Sequence, residues 1–280
     1  MDAFTAERWD RAAGDYQRTF RLGQNEYNRD VFDYWEREGM LFPGCRVLDI
    51  GCGIGKYGVL FAELGCDVTL IDISPKMLCH AEHNMAGFTT PWRVFCCDFS
   101  AVSGEEPVFA GGFDFAVSTM SPAIHDVDTV RKMSRMTDGW CFLSRFSEWH
   151  QPFRDLLMRE MGMQPRTLFQ DLKSDCDEMI RTVRDAGFVP QVRCVDYNWE
   201  DRRTPEGMAD YLCRYYCAGN GNPRSFYEKA RQLARRHADT DGQVADGVKT
   251  RVTWISWDTS KKCSRRQTDL YCPHPVSVIH

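Results

Sequence analysis

Apolar positions along this chain fall into short runs whose period keeps changing. Residues 46–50, 67–72, 92–97 and 113–119 are dense in Val, Leu, Ile and Phe, have strand length and are mostly set off by turn residues. Between the first two, over residues 56–64, the period becomes helical, with Tyr57, Leu60, Phe61 and Leu64 on one face. A helix over 126–136 and a strand over 140–144 make a fifth unit. Such alternation predicts an α/β fold with a mostly parallel sheet and helices on both faces. Ahead of it, 5–39 reads as helical, first with Trp9, Ala12, Ala13 and Tyr16 on one face, then over 26–38 with Tyr27, Val31, Phe32 and Trp35. After residue 147 the pattern predicts helices at 151–161 and 175–185, a strand at 188–197, helices at 205–217 and 223–236, and a last strand at 250–257.

The first strand carries the most specific chemistry. Val47-Leu48-Asp49-Ile50-Gly51-Cys52-Gly53-Ile54-Gly55 is a buried strand running into a glycine turn, where bare backbone can approach a ligand closely. A carboxylate two residues before the first glycine suits a ligand with positive charge or N–H donors and would sit badly beside a pyrophosphate. The second strand ends in Asp72, 21 residues after Gly51, placed to accept from ribose hydroxyls. Right-handed crossovers put a ligand at the carboxyl ends of the strands, and Asp49, Asp72, Asp98 and Thr119 all fall there. Ser74 and Pro75 fit the cap and first turn of the next helix. Gly53-Ile54-Gly55-Lys56-Tyr57-Gly58 also spells the dinucleotide fingerprint, so Asp72 alone does not separate two cofactor classes.

Asp-x-Gly-x-Gly-x-Gly, Asp72 with Ile73-Ser74-Pro75, and Asp98 after the third strand together resemble the class I S-adenosylmethionine-dependent methyltransferases of small-molecule type. The resemblance covers residues 9 to about 150 with specific motifs. It implies a Rossmann-like seven-stranded sheet, an N-terminal helical lid (1–44), a cofactor-binding core (45–200), a helical cap (201–248), a last core strand (249–258) and a loose tail (259–280). It also implies S-adenosylmethionine as cofactor, S-adenosylhomocysteine as product and a small organic acceptor methylated at oxygen, nitrogen or carbon. By the same resemblance Gly51, Gly53 and Gly55 approach the methionine part and Asp49 holds its amino end. Asp72 takes the ribose and Asp98 the adenine amino group, while Cys52, Ile73, Met77, Phe99 and Thr119 complete the cofactor contacts and Tyr16 lies over them as part of the lid. A non-catalytic adenosylmethionine or adenosylhomocysteine binder, an NAD-dependent oxidoreductase and an aminopropyl transferase remain open alternatives.

The acceptor is less legible. The loop after the fourth strand, 118–126, lacks the Asn-Pro-Pro-Tyr pattern of many base and amide methyltransferases and the cysteine of arsenic methyltransferases. His125 is the candidate general base, or else a helix cap, since imidazole titrates near neutral pH. His150, Tyr215 and Tyr216 are candidate substrate contacts; at helical spacing the tyrosines also suit a core. A net charge of −5 with pI near 5.8 argues against a broad nucleic-acid surface. The N-terminus reads as lacking a secretory signal, and no apolar run has membrane-spanning length, so a cytoplasmic protein is expected. Thirteen cysteines without a Cys-x-x-Cys pair read as small apolar residues, and no metal site is expected.

Overall fold

A computed structural model describes residues 5–18, 20, 26–106, 109, 112–164, 171–217 and 222–261, the side chains of Asp201 and Tyr215 excepted. Most of the expected tail, 262–280, lies outside the described residues. Helices α1 (Ala6–Arg18) and α2 (Glu26–Arg37) precede β1 (Arg46–Ile50), α3 (Lys56–Glu63), β2 (Asp67–Asp72), α4 (Pro75–Met85) and β3 (Trp92–Cys96). Then come β4 (Phe113–Thr119), α5 (Val127–Arg135), β5 (Thr137–His150), α6 (Pro152–Glu160) and α7 (Leu172–Asp185). The chain continues with β6 (Gln191–Arg203), α8 (Pro205–Tyr216), α9 (Pro223–Arg236) and β7 (Val244–Asp258). Seven strands of the described residues form one sheet in the order β3-β2-β1-β4-β5-β7-β6. Strands β3, β2, β1, β4 and β5 run parallel. The expected Rossmann-like α/β fold is therefore present.

The order of strands places the site. From β1 the chain builds outward through β2 and β3, then returns to lay β4 on the other side of β1. The crevice opens where that reversal occurs, at the carboxyl ends of β1 and β4. Strands β5, β6 and β7 are longer than their apolar runs predict, reaching 137–150, 191–203 and 244–258. The extension of β5 carries Glu148, a polar residue that hides the strand from a hydropathy reading until it is seen paired: the Arg251 guanidinium of β7 bonds Glu148 at 2.7 Å and Asp196 of β6 at 2.7 and 3.0 Å.

The chain divides into two compact units. One comprises 1–145, 175–194 and 253–280; the other comprises 146–174 and 195–252. The core of the first includes Leu48, Ile50, Ile71, Ala116, Leu143 and Trp257 together with Met179 and Val183 of α7. A second aromatic layer in the same unit stacks Trp35 of α2 edge-on against Phe115 and Phe142 at 5.2 and 5.0 Å. The other unit has its own core of Leu157 and Met158 from α6, Met208 and Leu212 from α8, and Phe226, Ala230 and Leu233 from α9. The expected cap falls within this second unit, which also takes in α6 and parts of three strands.

Candidate functional site

The turn after β1 is held open by backbone geometry. Gly51, Gly53 and Gly55 have φ of +72°, +56° and +74°, a region costly for other L-residues. At Gly51 a Cβ would also lie 1.9 Å from the Ser121 hydroxyl oxygen, and at Gly55 one would lie 3.0 Å from the Ala81 Cβ of α4. The turn is tied to β2, whose Ile71 carbonyl accepts from the Gly51 and Cys52 amides at 2.7 and 3.0 Å.

Two carboxylates frame this turn. Asp49 is 1% exposed, and neither of its oxygens has a hydrogen-bond partner. Burial, and secondarily the nearby charge of Asp72, pushes its pKa up to about 8. Asp72 is also buried, but each of its oxygens accepts one amide, from Gly53 and from Ser74, both at 2.8 Å. Burial raises its pKa against those bonds. Helix α4 starts as its sequence predicts: Ser74 is the N-cap, its hydroxyl accepting from the Met77 amide at 3.1 Å, and Pro75 opens the helix.

Helix α1 docks onto the same place. Ala13 packs with Ile54 of the turn and Met77 of α4, flanked by Trp9, Ala12 and Phe20. Asp10 accepts from the Ser74 hydroxyl at 2.6 Å, and Gln17 and Asn84 exchange amide bonds at 3.0 and 3.1 Å. Asn84 also donates to the Ile54 carbonyl at 2.9 Å, so this latch grips the glycine turn itself. Tyr16 of the same helix is 49% exposed.

Beyond β4 the chain turns through Met120, whose φ of +50° is strained for a methionine. Ser144 of β5 fixes that bend: its carbonyl accepts from the Met120 amide at 3.0 Å and its hydroxyl from buried Tyr27 of α2 at 2.7 Å. His125 is exposed, with its ring 3.6 Å from the Asp126 carboxylate. The cap of α5 is Asp126, through a reciprocal capping box with Thr129, so His125 is not the capping residue. Arg145 follows Ser144 and donates from Nη2 to the Ile124 carbonyl of this loop.

The structure thus gathers Asp49, Gly51, Cys52, Gly53, Gly55, Asp72, Ile73 and Met77 around one turn in the first unit. In the same unit Asp98 is an exposed cap accepting from the Ser100 amide at 2.8 Å, Phe99 is buried, and Thr119 ends β4. His150 and Tyr216 belong to the second unit, as does Tyr215, whose side chain lies outside the described residues. His150 is exposed beside Glu148, while the buried Tyr216 hydroxyl accepts from Arg154 at 2.9 Å. That unit also has an open groove of about 520 Å³ lined by Phe153, Trp199, Glu200, Val248 and Lys249 among others. Sequence reasoning missed Asp10, Gln17, Asn84, Ser121, Tyr27, Ser144 and Arg145. Polar residues in Asp10-Arg11 or Gln17-Arg18 look like any solvated helix face, and only their distant partners distinguish them. Among the described residues no helix is long and apolar enough to cross a membrane.

Comparison with known proteins agrees with this geometry. Residues 47–138 match the family described as a methyltransferase domain. Malonyl-[acyl-carrier protein] O-methyltransferase of Serratia marcescens is 36% identical over 81 residues, 29% of this chain and 30% of that protein. Ubiquinone biosynthesis O-methyltransferase of Xanthomonas campestris pv. campestris is 36% identical over 88 residues, 31% and 34% of the two chains. The matched stretch thus spans about a third of these relatives' length. The crystal structure of magnesium protoporphyrin IX methyltransferase from Synechocystis, with bound SAH, superposes with a TM-score of 0.50 at 16% identity, over 89% of this chain and 96% of that one. Residues 47–138 thus match a methyltransferase-domain family, and the fold of the chain resembles that of a solved methyltransferase.

Proposed function

We propose that the protein is an S-adenosylmethionine-dependent methyltransferase acting on a small organic acceptor. The observation that carries this reading is Asp49: a buried carboxyl with two unbonded oxygens, set two residues ahead of three left-handed glycines. Buried polar groups are nearly always hydrogen-bonded, so a cationic amino group is the partner this site lacks. The residues fit the cofactor in its other parts too. Each Asp72 oxygen uses one acceptor position on a backbone amide and keeps another for a ribose hydroxyl. Gly51, Gly53 and Gly55 allow the backbone approach, Asp98 faces the adenine amino group, and Cys52, Ile73, Met77, Phe99 and Thr119 complete the contact. Tyr16 travels with the α1 latch as the lid.

When bound, the sulfonium supplies an electrophilic methyl carbon. The chain's task is then to hold the acceptor in line and exclude water, and α1 pinned across the turn serves the exclusion. His125, exposed and next to the loop after β4, is placed to take a proton where the acceptor requires it. A cytoplasmic setting suits described cysteines that are all free thiols. An NAD-dependent oxidoreductase would leave the unbonded Asp49 without a purpose.

Parallel calorimetric titration with adenosylmethionine, adenosylhomocysteine and NAD tests the reading. Micromolar binding of the first two and none of NAD is expected. NAD binding alone would overturn it.

A further inference from the structure

Building on that reading, we infer that Arg145 recognises a carboxylate on the methyl acceptor. Its position comes from sheet register. The paired ends of β4 and β5 are Thr119 and Ser144, so Arg145 is the first β5 residue past the edge where the loop after β4 begins. Alternation along β5 puts its side chain on the same face as Cys141 and Leu143, whose core cluster includes Ile124. The guanidinium reaches that loop directly, Nη2 donating to the Ile124 carbonyl.

Among the described residues no carboxylate is bonded to it. Nε is buried and has no hydrogen-bond partner, and no acidic side chain among the described residues forms an ion pair with Arg145. The acidic group that faces it is Asp175, exposed at the start of α7; the nearby Cys176 thiol is neutral, burial pushing its pKa up to about 11. Burial works against its charge, yet arginine does not give up its proton in proteins, so the positive charge stays. The buried Arg154 shows the ordinary solution: Nε bonds Asp155 at 2.9 Å and Nη1 bonds the Tyr216 hydroxyl at 2.9 Å. Arg145 is half-buried and has no such ion pair, and it lies on β5 level with the start of the loop after β4. A carboxylate is the planar, singly charged group that a single guanidinium matches, whereas a phosphate would leave charge uncompensated.

The test uses the full chain loaded with adenosylhomocysteine and follows the arginine Nε–H resonances by NMR. Probes are acetate, benzoate, benzamide and phenyl phosphate. A saturable shift at Arg145 with acetate or benzoate is expected, with benzamide at least about tenfold weaker. R145K, which keeps the charge but not the fork, should weaken carboxylate binding about tenfold, and R145M should remove it. Adenosylhomocysteine affinity should stay within about twofold in both variants, as a residue contacting only the acceptor requires. Absence of any carboxylate response, equal binding of benzamide, or stronger binding of phenyl phosphate each overturns the proposal. Loss of adenosylhomocysteine affinity in R145M overturns it as well, by making Arg145 a support of the cofactor turn. If the wild-type chain binds no adenosylhomocysteine, the methyltransferase reading fails first; if it binds without a carboxylate response, only Arg145 is misassigned.

Discussion

Two buried charges, one in each unit, are treated in opposite ways. In the second, Arg154 is completely buried and held by Asp155 and Tyr216, while Gln151 donates to the buried Asp246 at 2.8 Å and accepts from Tyr211 at 3.1 Å. In the first, Asp49 is equally buried and bonded to nothing. A buried polar group with its partners in place explains itself by folding. One left without them raises the free energy of the folded chain and is retained for something that binds. The first unit gives up stability at its glycine turn; the second keeps it at Arg154.

The largest test of this contrast is R154M. Removing the guanidinium leaves the Asp155 carboxylate and the Tyr216 hydroxyl without their buried donor, and unfolding by denaturant should show a loss of about 3 kcal/mol. A loss below about 1 kcal/mol would make this pair no different from a surface ion pair.

D49N should behave the other way. Adenosylhomocysteine affinity should fall by about 1.5–3 kcal/mol, read by calorimetry, with no loss of thermal stability. Its pH dependence follows from sign. With a folded pKa of about 8, above the ordinary carboxyl value, Asp49 must hold a proton in the folded chain that the unfolded chain releases. Its contribution to stability is therefore full below the unfolded value and declines as pH rises toward 8. Pairing with a cationic amino group reverses this, so binding at neutral pH should release a proton and strengthen as pH approaches 8. Titration in buffers of different ionisation enthalpy checks this, and D49N should abolish the proton release. Unchanged release in that variant would move the titrating group elsewhere, to Asp72 first.

The smallest effect belongs to D10A. It removes the acceptor for the Ser74 hydroxyl and the Lys76 amide at the edge of the first unit, where water can replace both. Stopped-flow release of adenosylhomocysteine should speed up about threefold, with thermal stability nearly unchanged. An unchanged rate would mean that α1 packs on the turn without gating it.

Local signals in the sequence carried the first half of the chain. The run from Val47 to Gly55 has to be strand and turn whatever surrounds it, because three glycines in seven residues exclude a helix and the flanking apolar residues demand burial. Ser74-Pro75 likewise fixes the start of α4 within a few residues. From β5 onward the same reading loses the ends of strands, since polar residues such as Glu148, Arg202 and Asp246 look like loop residues until the strands are laid side by side. Of the site, the glycines, Asp49 and Asp72 were legible because a short motif contains them.

The sequence by itself determined the alternating α/β pattern, the left-handed turn, the acids at the strand ends and the resemblance of residues 47–138 to a methyltransferase domain. Each depends on neighbours a few residues away, where chain chemistry fixes geometry. Tertiary structure alone decided that Asp49 has no partner while Asp72 accepts from Gly53, that Ser121 backs Gly51, that Tyr27 reaches Ser144, and that Arg145 turns to the Ile124 carbonyl without a bonded carboxylate. Those facts join residues from about 20 to 117 positions apart, and whether a buried charge is paired is settled only when the strands have been laid side by side.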